Sequence, residues 1–306
     1  MTATLTAELP PALPGRGLAG QVALVTGASR GLGRVIAGAL ADAGAAIGLI
    51  ARSAGPLTQT ADQVTAGGGR AVAVTADVTD SGGLAAAVEQ ISHQLGPIDV
   101  LINNAGAAGP YGALWEVDPR DWWQAIEANL RGTVACTQLV LPSMIGRRHG
   151  RIVNITSHAG AYRWPLVTAY AVAKAAEIKL TENLAAELRH TGVTVFSAHP
   201  GLLPIGLSEQ ALADSTPEDK AAAKVFSWIR RELEQGRGAD PDSAARFVLR
   251  LAAGGCDSLS GRHLTVHDNL DTLVERADEI SRHDLYTLRR GELSHLRKQF
   301  VHRPRN

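Results

Sequence analysis

Tyr170 and Lys174 stand four residues apart in a stretch, TAYAVAK, that reads as a helix. That spacing puts both side chains on one helix face, a turn apart, so an ammonium lies beside a phenol. An ammonium so placed favours the phenolate by Coulomb attraction, which suits a phenol for proton exchange with a substrate. Ser157, thirteen positions before Tyr170, ends an apolar run and could set its hydroxyl against the same substrate oxygen. A solvated lysine near a half-buried tyrosine is the plainer reading of such a pair. Composition speaks against it: the 306 residues hold only five lysines, and no other tyrosine has one four positions on.

The apolar run before Ser157, residues 152–155, reads as a buried strand, and a loop with Gly160 and Pro165 leads from it to the helix. The same strand-to-helix pattern opens the chain. Residues 21–26 (QVALVT) form a strand that breaks into Gly27-Ala28-Ser29-Arg30-Gly31-Leu32-Gly33, and an alanine-rich helix follows to Ala43. A glycine-rich turn between a strand and a helix lets backbone N–H groups approach a pyrophosphate, with the helix dipole assisting. A second strand, residues 45–51, ends at Arg52. Folds that use NAD usually place an acidic residue there to hold the ribose 2′-hydroxyl. Here Ala51 and Arg52 occupy the place and Arg30 lies in the glycine turn. Two guanidiniums suit a 2′-phosphate instead.

Further strands at 71–76, 98–102, 193–198 and 263–266 end in Asp77-Val78, in Asn103-Asn104-Ala105-Gly106 and in His199-Pro200-Gly201. Strands alternating with helical stretches predict an α/β fold: one Rossmann-type, doubly wound parallel sheet of about seven strands, with helices on both faces. Ligands of such sheets bind beyond the carboxyl ends of the strands. The glycine turn, Arg52, Asp77, residues 103–106 and Ser157 all converge on that rim. Asn129 sits in the middle of an apolar helical segment, residues 119–146, where an amide either bonds a neighbour or belongs to a site.

Composition sets the bounds. The chain is 45% hydrophobic and carries 30 basic against 30 acidic residues, so it can build a core and gives no sign of a nucleic-acid or anionic-membrane partner. Cys136 and Cys256 make no paired motif and read as reduced thiols of a cytoplasmic protein. Residues 1–19 lack a basic start, are broken by prolines and read as a flexible arm, not as a signal peptide or anchor. No spacing suggests a metal site, although His283, His295 and His302 fall near the end.

Taken together, these motifs make the chain similar to the short-chain dehydrogenase/reductase family over residues 20–268. TGASRGLG, Asp77-Val78, NNAG, Asn129, Ser157, Tyr170-x-x-x-Lys174 and Pro200-Gly201 stand in family order. The resemblance implies that Tyr170 exchanges a proton with a carbonyl or alcohol oxygen while Ser157 bonds that oxygen. Lys174 would hold the nicotinamide ribose, and Asn129 would steady a water relay behind it. Gly27, Ser29, Arg30, Gly31, Leu32 and Gly33 would cradle the cofactor phosphates, with Arg52 beside the ribose. Asp77 would meet the adenine with Val78 beside it, Asn103, Asn104, Ala105 and Gly106 would shape the groove, and Pro200, Gly201 and Leu203 would also bind the cofactor. The arginines resemble the NADP-preferring branch. One departure is Ile205, which stands where the family often has a threonine that bonds the carboxamide; His199 likewise replaces a frequent asparagine.

Residues 202–238 would form a substrate flap, with Val225, Phe226, Trp228, Ile229 and Leu233 as the apolar stripe of its helix. The loops at 107–115 and 158–166 offer Tyr111, Trp115, His158, Tyr162 and Trp164 to an aromatic-edged pocket, in which His158 could be an extra acid or base. Residues 269–306 form an extension with a helix at 271–280 and a basic end (Arg289, Arg290, Arg297, Lys298, Arg303, Arg305) that reads as a solvated tail or subunit contact. The expected activity is NADP(H)-dependent reduction of a carbonyl, or the reverse oxidation, on a small molecule, by a homotetramer or homodimer. Two rivals stand beside it. One is a 3-oxoacyl reductase served by an acyl carrier, which needs a basic docking surface such as Arg147, Arg148 and Arg151. The other is an isomerase or a cofactor-holding protein without net redox turnover.

Overall fold

The computed structural model describes residues 17–212 and 218–289. Its strands are β1 Val22–Thr26, β2 Ala46–Ala51, β3 Arg70–Thr75, β4 Val100–Asn103, β5 Gly150–Ile155, β6 Val193–His199 and β7 His263–Thr265. They form one 7-stranded sheet, paired in parallel in the order β3-β2-β1-β4-β5-β6-β7. The winding reverses between β1 and β4, which opens a crevice at their carboxyl ends.

β4 starts later than the sequence pattern suggests because Asp99 is diverted from the sheet. Its buried carboxylate accepts the Val22 N–H at 2.9 Å and an Arg147 N–H at 2.5 Å, while Arg147 also donates to the Ile98 carbonyl at 2.6 Å. Removing one partner would strand a buried charge, so this clasp holds the amino-terminal edge of the sheet.

The helices are α1 Gly31–Asp42, α2 Ala54–Ala66, α3 Ser81–Leu95, α4 Pro119–Ile126, α5 Gly132–Arg147, α6 His158–Ala161 and α7 Thr168–Glu187, then α8 Glu209–Leu212, α9 Lys220–Glu234, α10 Pro241–Ala252, α11 Leu270–Glu275 and α12 Ala277–Arg282. Alternation along each strand sends side chains to opposite faces. Ala23, Val25 and Val153 pack with Ile36 and Leu40 of α1 and with Val248 and Leu251 of α10. Val22, Leu24 and Ile152 pack with Ile91 of α3, Met144 of α5 and Leu184 of α7. Each such Leu or Ile side chain contributes about 1.5–3 kcal/mol on burial, so packing on the sheet fixes where the helices lie.

At the amino end, Leu18 is fully buried and its N–H donates to Ala43 O at 3.0 Å, although the sequence pattern puts it in the leading arm. Residues 1–16 lie outside the described residues. The helix expected over 271–280 is two short ones, because Arg276 (φ −103, ψ 18) leaves the helical conformation between α11 and α12. Leu270, Leu273 and Ile280 join the core. Arg250 pairs with Asp271, Arg262 with Asp284 at 3.0 Å, and Arg289 with Glu182 at 2.7 Å, so Arg289 is no free tail residue. The remaining basic residues from Arg290 on, with His295 and His302, lie outside the described residues.

Cys136 and Cys256 are buried and unbridged, and burial pushes the Cys136 thiol up to about 12. Among the described residues no helix is long and apolar enough to cross a membrane. Nor does any grouping of His, Cys, Asp and Glu among them suit a metal ion.

Candidate active site

The turn after β1 is built for close backbone approach. A Cβ on Gly33 would sit 2.4 Å from the Gly27 carbonyl oxygen, so glycine is required for the turn to fold back on α1. Arg30 precedes α1 without a side-chain capping bond, and the helix has no acidic residue in its first turn. Its leading N–H groups are therefore free to meet an anion. The loop after β4 is clamped to this turn. Thr26 Oγ1 accepts the N–H groups of Asn104 and Ala105, both at 3.0 Å, and Asn104 Nδ2 donates to Thr26 O at 2.9 Å. Asn103 faces the other way, donating to Thr137 Oγ1 at 3.1 Å and Asn154 Oδ1 at 2.8 Å, and takes no part in the groove.

A cavity of about 1610 Å³ follows the strand carboxyl ends. Sites for one small molecule are typically about 300–1,000 Å³, so this one has room for a dinucleotide and a second ligand. Its lining includes Gly27, Ser29, Arg30, Gly31, Leu32, Gly33, Arg52, Asp77, Val78, Asn104, Ala105 and Gly106, together with Asn129, Ser157, Tyr170, Lys174, Pro200, Gly201 and Leu203. All the residues that the sequence singles out for a cofactor or for chemistry thus meet in one space. Arg52 stands 3.8 Å from Asp77, and Arg30 stands 3.5 Å from Glu209, with 77% and 66% of the two arginine side chains exposed at the rim. Burial opposes ionisation of Asp77, but hydrogen bonds from the Thr79 N–H and hydroxyl, at 2.9 and 2.8 Å, and the Arg52 charge outweigh it and hold the carboxyl below its usual range.

Lys174 is only 4% exposed, and its Nζ lies 5.8 Å from the centre of the Tyr170 ring. Nζ donates to Ile155 O at 2.9 Å and to both carboxylate oxygens of Glu177, at 3.1 and 2.9 Å. The sequence reading missed Glu177, although an acidic residue three positions after a lysine on one helix face is a recognisable signal. Ser157 leaves β5 and caps α6, its Oγ accepting the Ala159 N–H at 3.1 Å.

Asn129 occupies the middle of a π-helical segment, Glu127–Arg131, between α4 and α5. Its Nδ2 donates to the carbonyl of Ala125, four residues back, at 2.8 Å and to Ala107 O at 2.8 Å. A side chain that takes the carbonyl of the preceding turn displaces the backbone bond there, which is one origin of a π bulge. Asn129 Oδ1 is buried without a protein partner. A Cβ on Gly106 would stand 2.6 Å from that oxygen and 3.8 Å from Lys174 Nζ, so glycine keeps the approach between them open.

The second-ligand end of the cavity has two unlike walls. Tyr111 meets Phe226 edge-on at 5.2 Å and Trp164 meets Trp228 at 5.0 Å, backed by Val167, Val225 and Ile229. Helix α9 therefore both packs and lines the cavity. Tyr162 stands 71% exposed, whereas Trp115 is 86% exposed and does not contribute to the lining. Elsewhere the lining carries the imidazoles of His158, His199 and His267, and His263, which is outside the lining, lies next to them. His158 stacks on His199 at 4.0 Å between ring centres, with His263 6.3 Å from His158. His263 Nδ1 is 2.9 Å from Ser197 Oγ. Burial, then the neighbouring His158 and His263, lower His199 to about 3; burial, then His158, lowers His263 to about 4. His158 is lowered too, first by burial and then by His267. The histidines meet here as neutral, hydrogen-bonding rings, which disfavours His158 as an extra acid. This cluster escapes sequence reading because its members come from separate strand ends.

Arg147, Arg148 and Arg151 lie at the start of β5, at the end of the sheet opposite the cavity. Arg147 is held by Asp99, and Arg151 by Asp257 at 2.9 Å.

A glycine turn opening on an uncapped helix at the switch point of a parallel sheet marks a dinucleotide-binding α/β enzyme. The family model for short chain dehydrogenases matches residues 21–215. A short chain dehydrogenase of Pseudocercospora fijiensis is 34% identical over 265 residues, covering 86% of this chain and 85% of that one. The oxidoreductase UcpA of Escherichia coli is 35% identical, covering 84% of this chain and 97% of its own. A crystal structure of actinorhodin polyketide ketoreductase with NADPH matches with a TM-score of 0.74 at 31% identity, over 84% of this chain and 99% of that one. The chain belongs to the short-chain dehydrogenase/reductase family, and it is an NAD(P)-dependent oxidoreductase.

The histidine wall has a measurable consequence. An ordinary imidazole takes up its proton near 6.5, whereas folded His199 and His263 refuse theirs until about 3 and 4. Their stabilising contribution is complete above the unfolded value and is lost as the pH falls below it, by about 2 kcal/mol per histidine at pH 5. In urea unfolding, His199→Asn should lose less stability than the parent between pH 7 and pH 5, by about 1–2 kcal/mol. Equal losses in the two proteins would refute the assignment.

Proposed function

We propose that the protein reduces a ketone or aldehyde carbonyl with NADPH, or oxidises the corresponding alcohol in reverse. The observation that carries this reading is the convergence of Asn129, Ser157, Tyr170 and Lys174 on the cavity that the glycine turn opens. The residues fit the cofactor: α1 offers unpaired N–H groups, Gly27 to Gly33 leave backbone room, and Arg30 and Arg52 reach the rim. When bound, NADPH supplies the hydride. Tyr170 gives its phenolic proton to the carbonyl oxygen, and Ser157 Oγ donates a hydrogen bond to the same oxygen. Lys174 would hold the ribose and favour the phenolate that Tyr170 becomes. Asn129 Oδ1, buried and unpartnered, accepts at the far end of the relay behind Lys174. Pro200, Gly201 and Leu203 would help hold the cofactor, and Ile205 could offer its carboxamide no side-chain bond.

The two walls favour a substrate with an apolar, ring-sized body and a second hydrogen-bonding group near the carbonyl. Tyr111, Trp164, Val225, Trp228 and Ile229 receive the body, and His158 and His199 receive the polar group. Docking of an acyl carrier is disfavoured, because the arginines that would serve it face away from the cavity. We also propose a homo-oligomer, tetramer or dimer, joined through α4, α5 and α7, where Trp123, Leu139, Ile145 and Val172 are exposed. Light scattering at working concentration should return a multiple of the chain mass of 32.1 kDa. A monomer mass would remove that part of the proposal.

Cofactor choice is open to titration. Each charge-assisted bond to the 2′-phosphate contributes up to about 1.5–3 kcal/mol, but both arginines are largely solvated. NADPH should therefore bind roughly 5- to 30-fold more tightly than NADH, which is about 1–2 kcal/mol in total. Equal dissociation constants would mean that the arginines do not touch the phosphate.

Tyr170→Phe keeps the ring and deletes the proton donor, so kcat should fall by about 10²–10⁴-fold with NADPH affinity little changed. Ser157→Ala should slow turnover alone, and Lys174→Ala should weaken NADPH binding as well. Near-normal kcat in Tyr170→Phe, assayed on a panel of ketones, would sink the mechanism and favour a non-redox role.

A further inference from the structure

The mechanism above does not use Glu177, yet Glu177 dominates the surroundings of Lys174. An ammonium has three N–H bonds to give. Lys174 directs Nζ at Ile155 O, 2.9 Å away, and at both oxygens of Glu177, 3.1 and 2.9 Å away. Those contacts occupy all three bonds and compensate the charge. The pair is sealed, with 6% of the lysine side chain and 1% of the glutamate side chain exposed. A ribose hydroxyl or the Tyr170 oxygen can gain a hydrogen bond from Lys174 only if one of these partners gives way. Ile155 O is a fixed point of the sheet. The carboxylate is the partner that can change its charge.

We propose that Glu177 is a positioning residue that gates Lys174. Ionised, it keeps the ammonium to itself and cancels its field; protonated, it frees the ammonium for the cofactor ribose and Tyr170. The inference rests on the reading of Tyr170 and Lys174 as proton-exchange and ribose-holding groups. The setting is suited to such a change of charge. Burial pushes the Glu177 carboxyl up to about 7, against the pull of Lys174. The elements packed on α7 bring no second charge to it: β5 offers Asn154 and Ile155, and the π segment offers Asn129. Asp121 on α4, Glu127 and Arg131 on the π segment, His158 on α6 and His199 on β6 do not act on the carboxyl, and Lys174 alone does.

A reciprocal effect follows by linkage. If the protonated carboxyl favours NADPH, then NADPH favours the protonated carboxyl, and binding near neutrality takes up a proton. A group titrating near 7 loses about tenfold in protonated fraction between pH 6 and pH 8. The parent protein should therefore bind NADPH up to about tenfold more weakly at pH 8 than at pH 6, beyond any change seen in Glu177→Gln, whose amide keeps the neutral shape at every pH. Calorimetry in buffers of different ionisation enthalpy should show proton uptake on NADPH binding by the parent that is absent in the variant. Because a buried substitution could prevent folding, the parent alone supplies a second test. With ¹³C-labelled glutamate, adding NADPH near pH 7.5 should raise the infrared band of a protonated carboxyl. Loss of the Tyr170→Phe effect would overturn the acid–base reading, but these binding measurements involve no turnover and report on Glu177 separately. Identical pH dependence and proton uptake in parent and Glu177→Gln, or no carboxyl band in the parent, would overturn the gate.

Discussion

A buried ammonium must find compensation for its charge and acceptors for its N–H bonds, or lose several kcal/mol relative to water. Much of the architecture around the site can be derived from meeting that demand at Lys174. β5 has to end where the carbonyl of Ile155 can accept, and α7 has to run in the register that brings Glu177 under the same nitrogen. The short helix α6 must come so close that a Cβ on Gly160 would lie 2.5 Å from the Lys174 carbonyl carbon. Beside Gly106, the π segment then presents the Asn129 amide oxygen, which is buried without a partner. The rigidity of the sheet below these groups is what allows so tight an arrangement.

Whatever depends on neighbours in sequence was legible from the chain alone. The glycine turn, the strand ends and the Tyr170–Lys174 spacing each encode their structure within a few residues, and the strands fall within about two residues of where alternation and turn chemistry place them. What could not be read is what the fold brings together from afar. Asp99 looks like part of a strand until Val22 and Arg147 are seen to claim its carboxylate. His158, His199 and His263 are isolated residues in the sequence and one cluster in the molecule, with His158 and His199 on the cavity wall. The arginines 147, 148 and 151 suggest a basic patch in print, but they sit at the wrong end of β5 to serve the cavity. Asn129 was recognisable, yet the bulge its amide induces was not, because the competing acceptor at Ala125 is backbone and carries no residue signature.

The cavity joins two environments that seldom share one wall. On the aromatic side, shape decides what fits, and small differences in ligand volume have modest energetic weight. On the imidazole side, polar atoms such as His199 Nδ1 are already buried without partners, so a ligand lacking a matching group leaves them unsatisfied. Discrimination by the second wall should be the sharper of the two. Helix α9 contributes to the first wall, and Glu209 of α8 accepts the Gly206 N–H at 2.8 Å and faces Arg30.

The residues after β7 look at first like an appendage, since the family match stops well before them. β7 is the outermost strand of a parallel sheet, and an outermost strand presents unpaired peptide groups that invite another chain to add on. Here the extension folds back so that Tyr286 O receives the His263 N–H at 2.8 Å, while Leu288 and Arg289 fasten to Glu182 on α7. The extension thus works as a selvedge, finishing the border of the sheet so that it does not fray into a sticky surface. A truncation made just after β7 would cut that border open and would also take Leu270, Leu273 and Ile280 out of the core, so self-association would come together with lost stability.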